Sequence, residues 1–165
     1  MKIIILSDTH RFHVNYDKVI EREGKIDLLI HLGDVEGGEY YIEETARCPV
    51  HMVAGNNDFF STLPKEEEFY IGEKKVFITH GHHYYVSRGL SRIIAEGSKR
   101  NADIIMYGHT HRPELVHVDR VNADSVLVLN PGSISYPRQE GRQCSYMIME
   151  INEENEIDLE LKYVD

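Results

Sequence analysis

Seven residues of this chain have types and spacing that could do chemistry together: Asp8, His10, Asp34, Asn56, His80, His109 and His111. They offer carboxylates, imidazoles and an amide oxygen. Such a nitrogen and oxygen donor set without sulfur suits Mn, Fe, Co, Ni or Zn better than a copper or iron–sulfur centre. Taken singly, the fragments have ordinary explanations. Asp8 can cap a helix or turn, Gly33-Asp34 and Gly55-Asn56 can be turns, and His80 can be a hydrogen-bonded core histidine. Asp8 and His10 lie two apart, so on an extended segment they face the same side. His109-Thr110-His111 is the most specific fragment, because alternating histidines at a strand end commonly mark a metal site.

The elements that must position these residues are short apolar runs, each followed at once by a polar cluster. Ile3–Leu6 leads to Ser7-Asp8-Thr9-His10, and Asp27–Leu32 leads to Gly33-Asp34. Val50–Ala54 leads to Gly55-Asn56-Asn57-Asp58, and Val76–Thr79 to His80-Gly81-His82-His83. Ile104–Tyr107 leads to Gly108-His109-Thr110-His111, and Val126–Leu129 to Asn130-Pro131-Gly132-Ser133. Runs rich in Ile and Val, bounded by glycine and turn residues, read as strands buried on both faces. Helical stretches are expected over Val14–Glu23, ended by Gly24, and over Gly38–Arg47. A third, capped by Ser87, would set Leu90, Ile93, Ile94 and Gly97 on one face. Strand–helix alternation in the first half implies a mostly parallel sheet. Near the end, Ile157, Leu159, Leu161 and Tyr163 alternate with charged residues, and with Cys144–Ile151 they predict an antiparallel hairpin. The fold class that follows is α/β: two mixed sheets packed as a sandwich flanked by helices. In open α/β sheets ligands bind beyond the carboxyl ends of strands, so the clusters can converge.

Size and composition narrow the field. The 165 residues are expected to form a single domain over 1–165, able to bury a core without disulfides. No apolar run approaches a bilayer span, and the N-terminus reads as a buried strand rather than a signal peptide. Cys48 and Cys144 are far apart and have no CxxC spacing, which fits a reducing cytoplasm. The net charge of −10 disfavours binding to nucleic acid.

The ordered set D-x-H, G-D, G-N-x-D, H-G, G-H-x-H resembles the calcineurin-like metallophosphoesterase superfamily. The opening Ser-Asp-Thr-His and the Asn130-Pro131-Gly132-Ser133 loop resemble its small single-domain branch, the YfcE-type phosphodiesterases. The similarity runs from residue 2 to about residue 138. It implies two divalent metal ions, Mn first, with Ni, Fe, Co or Zn as other choices. It places Asp8, His10 and His111 on one ion, Asn56, His80 and His109 on the other, and Asp34 across both with a water or hydroxide. The implied reaction is hydrolysis of a small phosphate ester, most readily a phosphodiester, by that bridging hydroxide. A phosphomonoesterase on the same site is one alternative. A non-catalytic scaffold of the same fold, as in retromer, is the other. A homodimer is also compatible with the resemblance.

In much of the superfamily a histidine follows the metal-binding asparagine and acts as general acid. Here Asn57 stands there; its amide can hydrogen-bond a phosphate oxygen but cannot supply a proton at pH 7. His82 is the next candidate acid, or a group that orients the surroundings of His80. Asp58 is expected to hold a ligand histidine by a hydrogen bond, or to be a simple turn residue. His13, His31, His51, His83 and His117 read as structural or exposed. Arg88, Arg92, Lys99 and Arg100 form a basic stretch, read as a solvated helix face or a contact surface.

Overall fold

A computed structural model describes residues 1–120 and 123–164. The chain runs β1 (Lys2–Leu6), α1 (His13–Glu23), β2 (Leu28–His31), α2 (Glu39–Ala46), β3 (Val50–Met52), β4 (Glu66–Ile71) and β5 (Lys74–Thr79). It continues through α3 (Ser91–Lys99), β6 (Ile104–Met106), β7 (Pro113–Arg120), β8 (Ala123–Pro131), β9 (Ser145–Ile151) and β10 (Ile157–Tyr163). Two 3-10 turns, His82–Tyr84 and Val86–Arg88, lie between β5 and α3. One sheet has the order β10-β9-β1-β2-β3 and the other β4-β5-β6-β8-β7. Both are mixed: β1, β2 and β3 are parallel, as are β5, β6 and β8, while β4, β7, β9 and β10 pair antiparallel.

Strand periodicity builds the layers. In β1, Ile3 and Ile5 point into a core shared with Val76, Ile78, Ile104 and Met106 of the other sheet. Ile4 and Leu6 point the opposite way, against Tyr16 and Val19 of α1 and Ile42 of α2. On the far side, Phe77, Ile105 and Val128 pack against Ile93 of α3. The result is helix, sheet, sheet, helix. Such strands need apolar residues at every position, which is why the runs lack alternation. Gly24, at φ 66°, ends α1 and donates its N–H to the Ile20 carbonyl, as the sequence predicts. The C-terminal hairpin also forms, from Ile157↔Ile151 to Tyr163↔Ser145.

Three features differ from the sequence reading. α3 starts at Ser91 after Leu90, and Ser87 lies in a 3-10 turn rather than capping the helix. The edge strand β4 carries Glu66, Glu67 and Glu68, which hide it from a hydrophobic pattern. Glu66 and Glu68 are matched by Lys75 and Arg100, and Glu67 faces His51 of β3. Arg100 therefore belongs to a structural ion cluster that also includes Glu96. The other edge strand, β7, has no buried run because one face is wet. Cys48 and Cys144 are both free thiols. Among the described residues, no helix is long and apolar enough to cross a membrane.

Candidate metal centre

The loops after β1, β2, β3, β5 and β6 meet at one edge of the sandwich. Backbone hydrogen bonds lock them together: Asp8 N–H donates to the Gly33 carbonyl at 3.0 Å, and His10 N–H to the Asp34 carbonyl at 2.9 Å. The loop after β8 closes the assembly. Asn130 Nδ2 donates to the Gly108 carbonyl at 2.8 Å, and Ser133 Oγ to the Asp8 carbonyl at 3.1 Å. Thus Asn130-Pro131-Gly132-Ser133 ties the Asp8–His10 loop to the His109–His111 loop.

The backbone reason for convergence is not strand alternation. β1 ends at Leu6 and β6 at Met106, so neither pair sits on extended chain. Asp8, His10, Asp34, His109 and His111 all have left-handed backbone, with φ of 59°, 47°, 57°, 68° and 58°. That region is costly for residues with a Cβ, and its concentration here is the kind of strain found where function fixes geometry. Gly55 leaves the needed space, since a Cβ there would collide with Asp34 Oδ1. At Gly33, also at positive φ, a Cβ would sit 2.7 Å from His80 Nδ1.

Donor atoms of Asp8, His10, Asp34 and His111 all lie within 4.8 Å of one another. Asp34 faces both halves of the cluster: its Oδ2 is 3.7 Å from His10 Nε2 and 3.5 Å from His80 Nε2. Asn56 Oδ1 lies 3.1 Å from His80 Nε2, and the His109 ring stands beside His80 with centroids 5.2 Å apart. All seven sequence-predicted residues are therefore brought to one place.

Their hydrogen bonds show which ring nitrogens face one another. His10 Nδ1 faces Glu36 Oε1 at 2.6 Å, His80 Nδ1 the Leu32 carbonyl at 2.7 Å, and His111 Nδ1 the Tyr136 carbonyl at 2.6 Å. Each oxygen requires an N–H, so a neutral ring carries its lone pair on Nε2. All three Nε2 atoms point inward, at one another or at oxygens. His111 Nε2 is 3.0 Å from Asp8 Oδ1 and 3.4 Å from His10 Nε2. Both carboxylate oxygens of Asp8 are buried and receive no hydrogen bond among the described residues. Unpartnered buried charge is expensive, and converging lone pairs repel. A divalent cation answers both problems, so the residues present fit a metal.

A surrounding set of groups holds the donors. Asn57 donates to Asp34 twice, from its backbone N–H to Oδ1 at 2.8 Å and from Nδ2 to Oδ2 at 2.7 Å. Burial pushes the Asp34 carboxyl up, but His80 and Asn57 outweigh it and hold the group well below the usual carboxylate range. Among the described residues, Asp58 makes no hydrogen bond to a candidate ligand histidine. It accepts instead from the backbone N–H groups of Asp34 at 2.8 Å, Glu36 at 2.6 Å and Gly55 at 2.6 Å, fixing the Asp34 loop. His82 is half-buried, its ring centroid 5.4 Å from that of His80. Burial, then His80, His83 and His109, bring it down to about 4, so it is neutral at pH 7. His31 lies fully buried below the loops; burial lowers it to about 3, and it bonds Thr9 Oγ1 and the Gly33 N–H.

Glu36 and the carbonyls of Leu32 and Tyr136 are absent from the sequence reading. A backbone carbonyl has no side-chain signature. Glu36 had only its place two residues beyond Asp34, also on left-handed backbone.

Comparison with known proteins agrees with this geometry. The model of the calcineurin-like phosphoesterase superfamily domain matches residues 1–154. A probable metallophosphoesterase of Bacillus subtilis, YsnB, is 32% identical over 90% of this chain and 83% of its own length. A phosphodiesterase of Methanocaldococcus jannaschii is 35% identical over 80% of this chain and 83% of its own. A predicted phosphoesterase of Streptococcus pneumoniae superposes with a TM-score of 0.78 at 28% identity, covering 98% of this chain and 97% of that one. Loops that gather aspartates, histidines and an asparagine at one sandwich edge, and the match over nearly the whole chain, lead to one statement: this protein belongs to the calcineurin-like phosphoesterase superfamily.

Proposed function

We propose that this protein hydrolyses small phosphodiesters at a centre of two divalent metal ions, manganese first among them. The observation that carries the proposal is the place of Asp34, whose Oδ2 faces His10 on one side and His80 on the other. One ion would be held by Asp8, His10 and His111, the other by Asn56, His80 and His109, with Asp34 shared. When bound, such a pair supplies Lewis acidity and a water activated to hydroxide near neutral pH. Only Asp8 and Asp34 among these ligands carry negative charge, so a loaded site stays positive inside an acidic protein and attracts phosphate.

The protein's own groups set the limits of the reaction. Glu36, Leu32 and Tyr136 fix the tautomers of His10, His80 and His111. Asn57 and Asp58 position Asp34 and its loop. The Asn57 side-chain amide gives one N–H to Asp34 Oδ2 and keeps its second for a phosphate oxygen, but neither is acidic enough to protonate a leaving group. Burial and the neighbouring histidines hold His82 below the ordinary imidazole value, which disfavours it as the acid. Departure of a poor leaving group is then unassisted, so activated aryl esters react best. The diester preference draws support from the phosphodiesterase of M. jannaschii.

The test crosses metal reconstitution with matched aryl diesters and monoesters. Metal-dependent turnover with the diester favoured supports the proposal. Faster turnover of the monoester would make the protein a phosphomonoesterase, and no turnover with any ion would refute hydrolysis.

A further inference from the structure

Beside the metal centre, a cleft of about 970 Å³ opens between the His10–His111 side and the loop after β8. Its size falls within the roughly 300–1,000 Å³ of small-molecule sites. Arg112, Arg138 and Arg142 all line it, in a chain of net charge −10. Arg100, by contrast, is neutralised by Glu66, Glu68 and Glu96. Among the described residues, no carboxylate forms an ion pair with Arg112, Arg138 or Arg142. Glu36, the acid on the cleft wall, is occupied by His10 and Arg11.

The cationic wall is attached to the metal centre. Arg138 N–H donates to the His111 carbonyl at 3.0 Å, while His111 Nδ1 donates to the Tyr136 carbonyl at 2.6 Å. Arg112 Nε donates to the Arg138 carbonyl at 3.3 Å. The peptide units that orient a candidate metal ligand therefore adjoin Arg112 and Arg138. An anion bound by them would lie at a set distance from the reacting phosphorus.

We propose that this cleft is a second anion subsite, and that the substrate is a small phosphodiester bearing a further phosphate group. The inference rests on the hydrolytic reading above. Guanidinium pairs bind phosphate through parallel charge-assisted hydrogen bonds, a geometry lysine does not match. The acidic remainder of the surface repels a long polyanion, so the class is nucleotide-sized rather than nucleic acid.

The test uses two chromogenic diesters with the same leaving group: thymidine 5′-(p-nitrophenyl phosphate), and the same ester with a 3′-phosphate. With metal-loaded protein, the 3′-phosphate should raise kcat/KM by about tenfold or more, the effect of one good charge-assisted contact. In Arg138→Gln/Arg142→Gln, and to a lesser degree in Arg142→Gln alone, that ratio should fall toward one. A ratio near one in the parent, or a ratio the variants leave unchanged, overturns the subsite. A second arm needs no turnover: calorimetric binding of thymidine 3′,5′-bisphosphate to chelator-treated protein. Binding weakened about tenfold in the double variant supports the subsite, and equal or absent binding overturns it. If neither ester is hydrolysed with any metal while the bisphosphate still binds through the arginines, the hydrolytic reading fails and the anion site stands.

Discussion

His111 brings its Nε2 to 3.0 Å from Asp8 Oδ1, although its Nδ1 is the nitrogen that carries the proton for the Tyr136 carbonyl. Two acceptors thus face each other inside the protein. With His111 neutral and no metal bound, this contact opposes folding; a second proton on His111, or a cation held by both groups, would relieve it. Asp8→Asn should separate the two effects. An amide N–H can bond His111 Nε2, so chelator-treated Asp8→Asn should be more stable than chelated parent by about 1–3 kcal/mol, the cost of an unsatisfied buried group. Its metal affinity should fall. Thermal unfolding with chelator, beside metal titration, checks both signs; loss of apo stability in the variant would contradict the reading of this contact.

Glu36 makes a single contact to a ligand ring, His10 Nδ1 at 2.6 Å. Removing it in Glu36→Ala should weaken metal binding by about 10–100-fold, the usual effect of losing a group that orients a metal-binding histidine. Glu36→Gln keeps an acceptor oxygen and should recover part of the loss. Competition against a chromophoric chelator measures this directly, and affinities equal to the parent in both variants would exclude the orienting role.

On the proposed reading, neither Asn57 nor His82 protonates a departing alkoxide. The rate for a series of aryl and alkyl diesters should therefore fall steeply as leaving-group pKa rises. General acid help contributes on the order of 10²–10⁴-fold, so its absence is visible across such a series. A flat dependence would show that some group does donate.

The strands were legible because β1, β2, β5, β6 and β8 are apolar runs with turn residues behind them. β4 was not, because its glutamates are stabilised by Arg100 and Lys75 rather than by burial. The residue types gathered at the site were legible because chemistry restricts them. Their meeting beyond the strand ends was legible too, but the backbone that aims them was not: the expected strand alternation is replaced by left-handed turns at Asp8, His10, His109 and His111, a choice no side chain announces. Asp58 could be placed near the site by its distance from Asn56, but its partners are backbone amides, which only tertiary structure supplies.

Away from the centre, Glu23 of α1 is nearly buried between Lys2, Tyr146 and Lys162. Burial alone would raise its carboxyl; those three partners outweigh burial and bring it from an ordinary 4.5 to about 2. A depressed folded-state value stabilises above the unfolded value and loses that contribution as pH falls. Stability should therefore drop between about pH 4.5 and pH 2, by on the order of 3 kcal/mol at most from this group. Glu23→Gln should be less stable than the parent at pH 7 and should flatten the acid limb. Urea unfolding across that range checks this, and parallel pH profiles would count against it.

The position of Asp34 between His10 and His80 is tested most directly by one comparison. Metal content and hydrolysis of bis(p-nitrophenyl) phosphate should be measured for the parent and for Asp34→Ala, each chelated and then reconstituted with manganese. The parent should bind two ions per chain and be active only when loaded. Asp34→Ala should fail to hold the pair and lose at least about 10²-fold in rate. Turnover by Asp34→Ala as fast as the parent, or full activity in the chelated parent, would contradict a shared metal-bridging carboxylate as the basis of catalysis.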